Sequence, residues 1–153
     1  MRIELPDTDA TRALGERLAA SLRAGDLVVL VGDLGAGKTT LTQGIGAGLG
    51  VRGQIASPTF IIARAHPSLG DGPDLVHVDA YRIGSLDEVD ALDLDSSLEE
   101  SVTVVEWGEG LVEQLSESWL EVRLERPRGS EGGDDTRVAH VVGHGPRWEG
   151  VQP

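Results

Sequence analysis

Leu27-Val28-Val29-Leu30-Val31-Gly32-Asp33-Leu34-Gly35-Ala36-Gly37-Lys38-Thr39-Thr40 is the stretch on which the reading of this chain turns. Its first five residues are uninterrupted apolar and mostly β-branched, the composition of a strand buried on both faces. Gly32 to Thr39 then fit the pattern G-x-x-x-x-G-K-[ST]. Glycines there let the backbone curl so that successive N–H groups point at phosphate oxygens, and the following helix adds its positive N-terminal end. Lys38 is expected to reach the β- and γ-phosphates and the Thr39 hydroxyl to ligate magnesium. A helix from about Lys38 to Leu49, closed by Gly50, supplies the strand, loop and helix order that the motif requires. Lys38 is also the only lysine among thirteen basic residues, the other twelve being arginine. A lysine kept in so arginine-rich a chain marks a place for a compact ammonium, not a planar guanidinium. The expected ligand is a nucleoside triphosphate, ATP with magnesium, held between Gly32 and Thr40, with Gly35, Ala36, Gly37, Lys38, Thr39 and Thr40 against it.

On the N-terminal side, Ala10, Leu14, Leu18 and Leu22 recur every fourth residue, which predicts a helix over 8–23 capped by Asp7, Thr8 or Asp9 and lying against a sheet. Downstream, Phe60 to Ala65 and Leu75 to Val78 are short strand candidates around a turn-rich loop, His66 to Pro73. Val102 to Val105 is a second strand of the buried type, with short helices predicted over 86–94 and 108–115. Leu120, Val122 and Leu124 alternate with Glu121, Arg123 and Glu125, and Thr136 to Val142 is half-buried in the same way. These last two predict an antiparallel pair at a sheet edge. The fold expected is α/β, a three-layer P-loop NTPase type with a mainly parallel central sheet and antiparallel strands at the C-terminal edge. At 153 residues it fits one domain, 1–143, followed by a flexible tail over 144–153.

The formal net charge of −13 argues against direct binding of nucleic acid by this chain alone, since phosphate backbones are held by clustered Lys and Arg. Asp87, Glu88, Asp90, Asp93, Asp95, Glu99 and Glu100 fall in one stretch without a base, either a solvated face or a docking surface for a basic partner. Cysteine is absent, which removes disulfides and thiolate metal sites and is compatible with a reducing cytosol. The first residues lack a basic stretch followed by an apolar run, and no window reaches the roughly 18 apolar residues of a membrane span. The chain reads as soluble and cytoplasmic.

Hydrolysis needs more than a phosphate loop: an acid near the metal and a group that aligns the γ-phosphate. Three segments offer these. In Ser57-Pro58-Thr59-Phe60, Thr59 presents a hydroxyl and an N–H to a phosphate or metal, or belongs to an ordinary hydroxyl-rich turn. In His77-Val78-Asp79-Ala80-Tyr81-Arg82, Asp79 lies at a predicted strand end, where open α/β sheets place ligands; it holds a magnesium-bound water or caps the next turn. Arg82 neutralises transition-state charge or pairs with the acidic stretch. In Val104-Val105-Glu106-Trp107 an apolar strand ends in a carboxylate, and Glu106 ligates magnesium, orients the attacking water, or simply ends the strand beside a packed Trp107.

Taken in order, Leu5-Pro6-Asp7, Gly32 to Thr40, Ser57 to Phe60, His77 to Arg82 and Val105-Glu106-Trp107 resemble the TsaE (YjeE) family of bacterial ATPases, over most of the chain. The resemblance implies a small P-loop ATP hydrolase that acts in tRNA modification, the threonylcarbamoylation of adenosine next to the anticodon. Its implied partners are a threonylcarbamoyl transferase complex of two related proteins, of the TsaD and TsaB type, which ATP hydrolysis resets between turnovers. Position by position, it implies that Lys38 contacts phosphates, Thr39 and Glu106 hold magnesium, and Thr59 lies in a switch-like loop. Asp79 is needed for hydrolysis, Trp107 lies close to the nucleotide and Thr8 near the adenine. Gly108 stands where a proline is common in the family, and a long Gly- and Asp-rich loop precedes Thr136; the C-terminal nucleotide contacts are left unassigned. The alternative class is a small-molecule P-loop kinase, although the lid expected of one usually carries several arginines and His66 to Pro73 has none. No N-K-x-D motif for guanine is present, and a nucleotide-gated module that hydrolyses nothing is the third class.

Overall fold

Strand β2, Leu27–Val31, is buried on both faces and occupies the middle of a seven-stranded sheet. The computed structural model describes residues 2–32, 37–51, 63–70, 72–79, 100–106, 117–125 and 136–150. Along the chain come β1 (Arg2–Leu5), α1 (Thr8–Ala19), β2, α2 (Lys38–Leu49), β3 (Ala63–His66), β4 (Asp74–Asp79), β5 (Ser101–Glu106), β6 (Trp119–Glu125) and β7 (Arg137–His144). A 3-10 turn, Pro146–Trp148, follows. The sheet order is β1-β7-β6-β2-β5-β4-β3. β2 pairs in parallel with both β5 and β6, and β4 adds a further parallel strand beside β5. β7 and β1 on one side and β3 on the other run antiparallel to their neighbours. The expected class, an α/β sheet parallel in the middle and antiparallel at the edge, is the one observed.

The apolar side chains explain this layering. Val28 and Leu30 of β2, Val102 and Val104 of β5, and Leu120, Val122 and Leu124 of β6 form one core with Leu14, Leu18 and Leu22 near α1 and Leu41 and Ile45 of α2. Because strand side chains alternate, Leu27, Val29, Val78 and Val105 face the other way, and they are equally buried. No helix among the described residues is long and apolar enough to cross a membrane.

Helices α1 and α2 approach closely enough to exclude side chains. A methyl group added to Gly44 would overlap the Arg12 carbonyl, and one on Gly15 would lie 2.7 Å from the Ile45 nitrogen. One on Gly48 would lie 2.6 Å from the Ala19 Cβ. These glycines are a packing requirement inside helices where glycine otherwise costs stability.

Three features differ from the sequence-based expectation. β1, where no strand is expected, pairs Ile3 with Ala139 and Leu5 with Arg137 and so forms the outer edge beyond β7. The first helix ends at Ala19 rather than Arg23, because the N–H groups of Ala20, Ser21 and Leu22 turn to carbonyls three residues back and tighten the chain. The tail expected over 144–153 is packed as far as Trp148. Trp148 is buried in the core, and Arg147 makes two 3.0 Å hydrogen bonds to the buried Asp26 carboxylate and a 2.8 Å bond to the Ser21 carbonyl. Its guanidinium also lies 4.3 Å from the Trp148 ring centroid. Composition suggests a mobile end, but one aromatic ring and one bidentate ion pair are enough to hold it. The helices predicted over 86–94 and 108–115 and the Gly- and Asp-rich loop Pro127 to Asp135 lie outside the described residues.

Two outcomes follow for stability. Gly44→Ala is expected to lower the unfolding free energy by about 2 kcal/mol through forced separation of the helices, read as a shift of the urea midpoint. Arg147→Ala leaves the Asp26 carboxylate buried without its cation and is expected to cost about 3 kcal/mol. Arg2→Ala, which removes only an exposed pair with Glu4, is the control and is expected to cost less than about 1 kcal/mol.

Candidate functional site

The site forms where the parallel strands end. β2 finishes at Val31, Gly32 follows, and the chain re-enters at Gly37 as the start of α2. Gly37 has φ of 102°, a left-handed conformation that favours glycine, and caps α2 without any side-chain hydrogen bond. The first intrahelical bond runs from the Leu41 N–H to the Gly37 carbonyl at 2.9 Å. The N–H groups of Lys38, Thr39 and Thr40 precede it and have no intrahelical acceptor, so the helix offers an anion three donors and the positive end of its dipole.

Lys38 is only 6% exposed, and its Nζ donates a 2.6 Å hydrogen bond to the Gly32 carbonyl. The ammonium thus reaches back across the loop to the residue that opens it. An ammonium with three donors, placed at a helix start, is of the kind that suits a phosphate. The Lys38 carbonyl accepts from the Thr42 hydroxyl at 2.8 Å, which ties the first turn of α2 to its second. Thr39 and Thr40 are half-buried, and neither hydroxyl bonds to another described residue.

Glu106 ends β5 beside the loop. In register it lies across from Leu30 of β2 on one side and Asp79 of β4 on the other. Leu30 packs in the core shared with α2, so Glu106 stands on the sheet face that α2 covers, at the level where β2 gives way to the loop. Its side chain is 5% exposed, and Oε2 is held at 2.7 Å by Nε2 of His77. The Asp79 backbone is thereby set next to that of Glu106 at the sheet's carboxyl end, the place where such sheets bind ligands.

Thr8 is exposed at the first turn of α1, which Asp7 caps by accepting the Ala10 N–H at 2.8 Å. One turn further on, Thr11 approaches the loop: a methyl group on Gly37 would lie 3.7 Å from its Cγ2. The first turn of α1 therefore borders the start of α2. Of the other residues singled out in the sequence, Gly35, Ala36, Thr59, Arg82 and Trp107 lie outside the described residues. His77 received no role from the sequence. Its position two residues before Asp79 on a strand was the available signal, since that spacing puts both on one face.

A divalent metal of the magnesium kind fits the donors present. Thr39 offers a hydroxyl and Glu106 a carboxylate, both oxygen ligands, and magnesium typically takes only one or two protein ligands beside phosphates and water. The arrangement suits a polyphosphate and a hard cation, held by a helix N-terminus, an ammonium, a hydroxyl and a carboxylate.

Known proteins resemble this chain in sequence and fold. The family model for threonylcarbamoyl adenosine biosynthesis protein TsaE matches residues 5–134. A Streptomyces coelicolor protein named tRNA threonylcarbamoyladenosine biosynthesis protein TsaE is 64% identical over 90% of this chain and 93% of its own. A protein of the same name from Bacillus subtilis is 38% identical over 92% of this chain and 84% of its own. The crystal structure of Bacillus subtilis YdiB superimposes with a TM-score of 0.72 at 31% identity, covering 97% of this chain and 88% of that one. These matches extend over most of the chain, which belongs to the TsaE family of threonylcarbamoyl adenosine biosynthesis proteins.

Proposed function

We propose that this chain is a magnesium-dependent ATPase whose hydrolysis resets a threonylcarbamoyl transferase complex while adenosine next to the anticodon of tRNA is modified. The observation that carries the reading is the Lys38 ammonium lying 2.6 Å from the Gly32 carbonyl at the uncapped start of α2, with Glu106 at the adjacent strand end. Phosphoryl transfer is chiefly positioning and charge stabilisation, and these groups supply both. Lys38 exchanges the Gly32 carbonyl for phosphate oxygens, and the N–H groups of Lys38, Thr39 and Thr40 hold a terminal phosphate in line. A bound magnesium ion would supply positive charge against the phosphate oxygens. Thr39 and Glu106 hold it, Asp79 is required for hydrolysis, and the first turn of α1 with Thr8 borders the base. Gly35, Ala36, Thr59 and Trp107 complete the nucleotide contacts in this proposal.

With a net charge of −13 the chain is poorly suited to grip tRNA itself. It acts in the cytoplasm through its partners, the TsaD and TsaB type proteins, which bring the modification chemistry. The decisive measurement is ATP hydrolysis by the purified protein alone and with the partner complex. A low rate alone and a rise with partners, abolished in Lys38→Ala, is expected. Flat rates would redirect attention to a small-molecule kinase and a screen of phosphate acceptors.

Two substitutions separate binding from chemistry. Lys38→Arg is expected to weaken binding of a fluorescent ATP analogue at least about tenfold, because the buried pocket that takes an ammonium does not take a planar guanidinium. Glu106→Gln is expected to keep binding in EDTA near wild type while partner-stimulated hydrolysis falls about 100-fold or more.

A further inference from the structure

We infer that His77 positions the Glu106 carboxylate toward the metal, an inference that rests on the magnesium-nucleotide reading above. His77 is fully buried on β4, across from Val104, so Glu106 lies one layer nearer the ends of the strands on the same face. The imidazole therefore supports the carboxylate from beneath, on the side away from the carboxyl ends of the strands. A carboxylate only accepts hydrogen bonds, so Nε2 of His77 carries the proton in the 2.7 Å contact with Oε2.

The rest of the ring has no comparable engagement. Nδ1 is buried and without a hydrogen-bond partner among the described residues, and the side chains sharing its face on β4 and β5 include Leu75, Val102 and Val104. A leucine there would avoid the cost of an orphaned buried nitrogen. What a leucine would not provide is a donor for Glu106, whose only hydrogen-bond partner among the described residues is His77. Fixing Oε2 fixes the carboxylate plane and directs the coordinating ability of Oε1. Magnesium demands near-octahedral geometry and is sensitive to that orientation. Groups that hold a metal ligand from behind are typically worth about 10- to 100-fold in metal affinity or activity. His77 touches neither nucleotide nor metal in this account and is a positioning residue.

The test measures binding of a fluorescent, non-hydrolysable ATP analogue as magnesium is varied, with EDTA as the metal-free reference. His77→Leu is expected to match wild type in EDTA but to need about tenfold more magnesium for half-maximal enhancement. His77→Gln, whose side-chain amide places an N–H near the position of Nε2, is expected to recover most of the loss. A folded His77→Leu protein with an unchanged magnesium requirement would overturn the inference while leaving the ATPase reading intact. Absence of any magnesium effect in wild type would instead remove both. Should His77→Leu fail to fold, nitrogen-15 imidazole spectra of the wild-type protein decide the matter. The His77 Nε2–H signal is expected to move when magnesium and the analogue are added together and to stay when the analogue is added in EDTA. A signal indifferent to magnesium would equally count against the role.

Discussion

A helix has to begin, without a side-chain cap, shortly after the central strand of the sheet ends, and the rest of this structure depends on that junction. β2 contributes a wholly buried run, Leu27 to Leu30, and Lys38 follows after a loop that its own ammonium closes onto Gly32. The first N–H groups of a helix without a side-chain cap turn to other acceptors, of which water and an anion are two. The neighbouring elements serve to keep that start in place. α1 presses on α2 through Gly15, Gly44 and Gly48, which allow contact at backbone distance. The segment leaving α1 is tied in turn by Arg147 to Asp26 and Ser21. Arg147 thus bears on the geometry at residue 38 through two intermediates.

The acidic half of the site is a matter of register. Parallel pairing of β5 with β2 and β4 brings Glu106 level with Leu30 and with Asp79. A one-residue slip would turn Glu106 to the opposite face and take it away from α2. The buried alternation of Val102, Val104 and Glu106 against Leu75 and His77 specifies that register, because any other pairing would expose apolar side chains or strand the carboxylate. Hydrophobic packing below therefore sets the chemistry above. The chain that carries this arrangement belongs to the TsaE family and has a formal net charge of −13.

Much of this was legible in the linear chain because it is encoded locally. The apolar run of β2, the glycines of the loop, the helix to Leu49 with its Gly50 stop, and the alternation of β6 all depend on neighbours within a few residues. β1 escaped notice because four residues with Ile3 and Leu5 alternating carry little periodicity, and the strand exists only by pairing with β7 at the far end of the chain. The packed segment 144–148 escaped for a similar reason: its composition resembles a tail, and only the distant Asp26 makes Arg147 a clamp.

By itself the sequence determined the parallel α/β class, the buried strand and the helix that flank the glycine-rich motif, and the identity of the candidate groups, since strand burial and helix termination follow from local residue type. The tertiary structure alone decided which of those groups meet. Lys38 facing Gly32 is a short-range contact, but the pairing of His77 with Glu106 joins residues 29 apart in sequence, and the Arg147–Asp26 bridge joins residues 121 apart. Such contacts depend on strand order and register, which arise from packing summed over the whole core, and no local pattern encodes them.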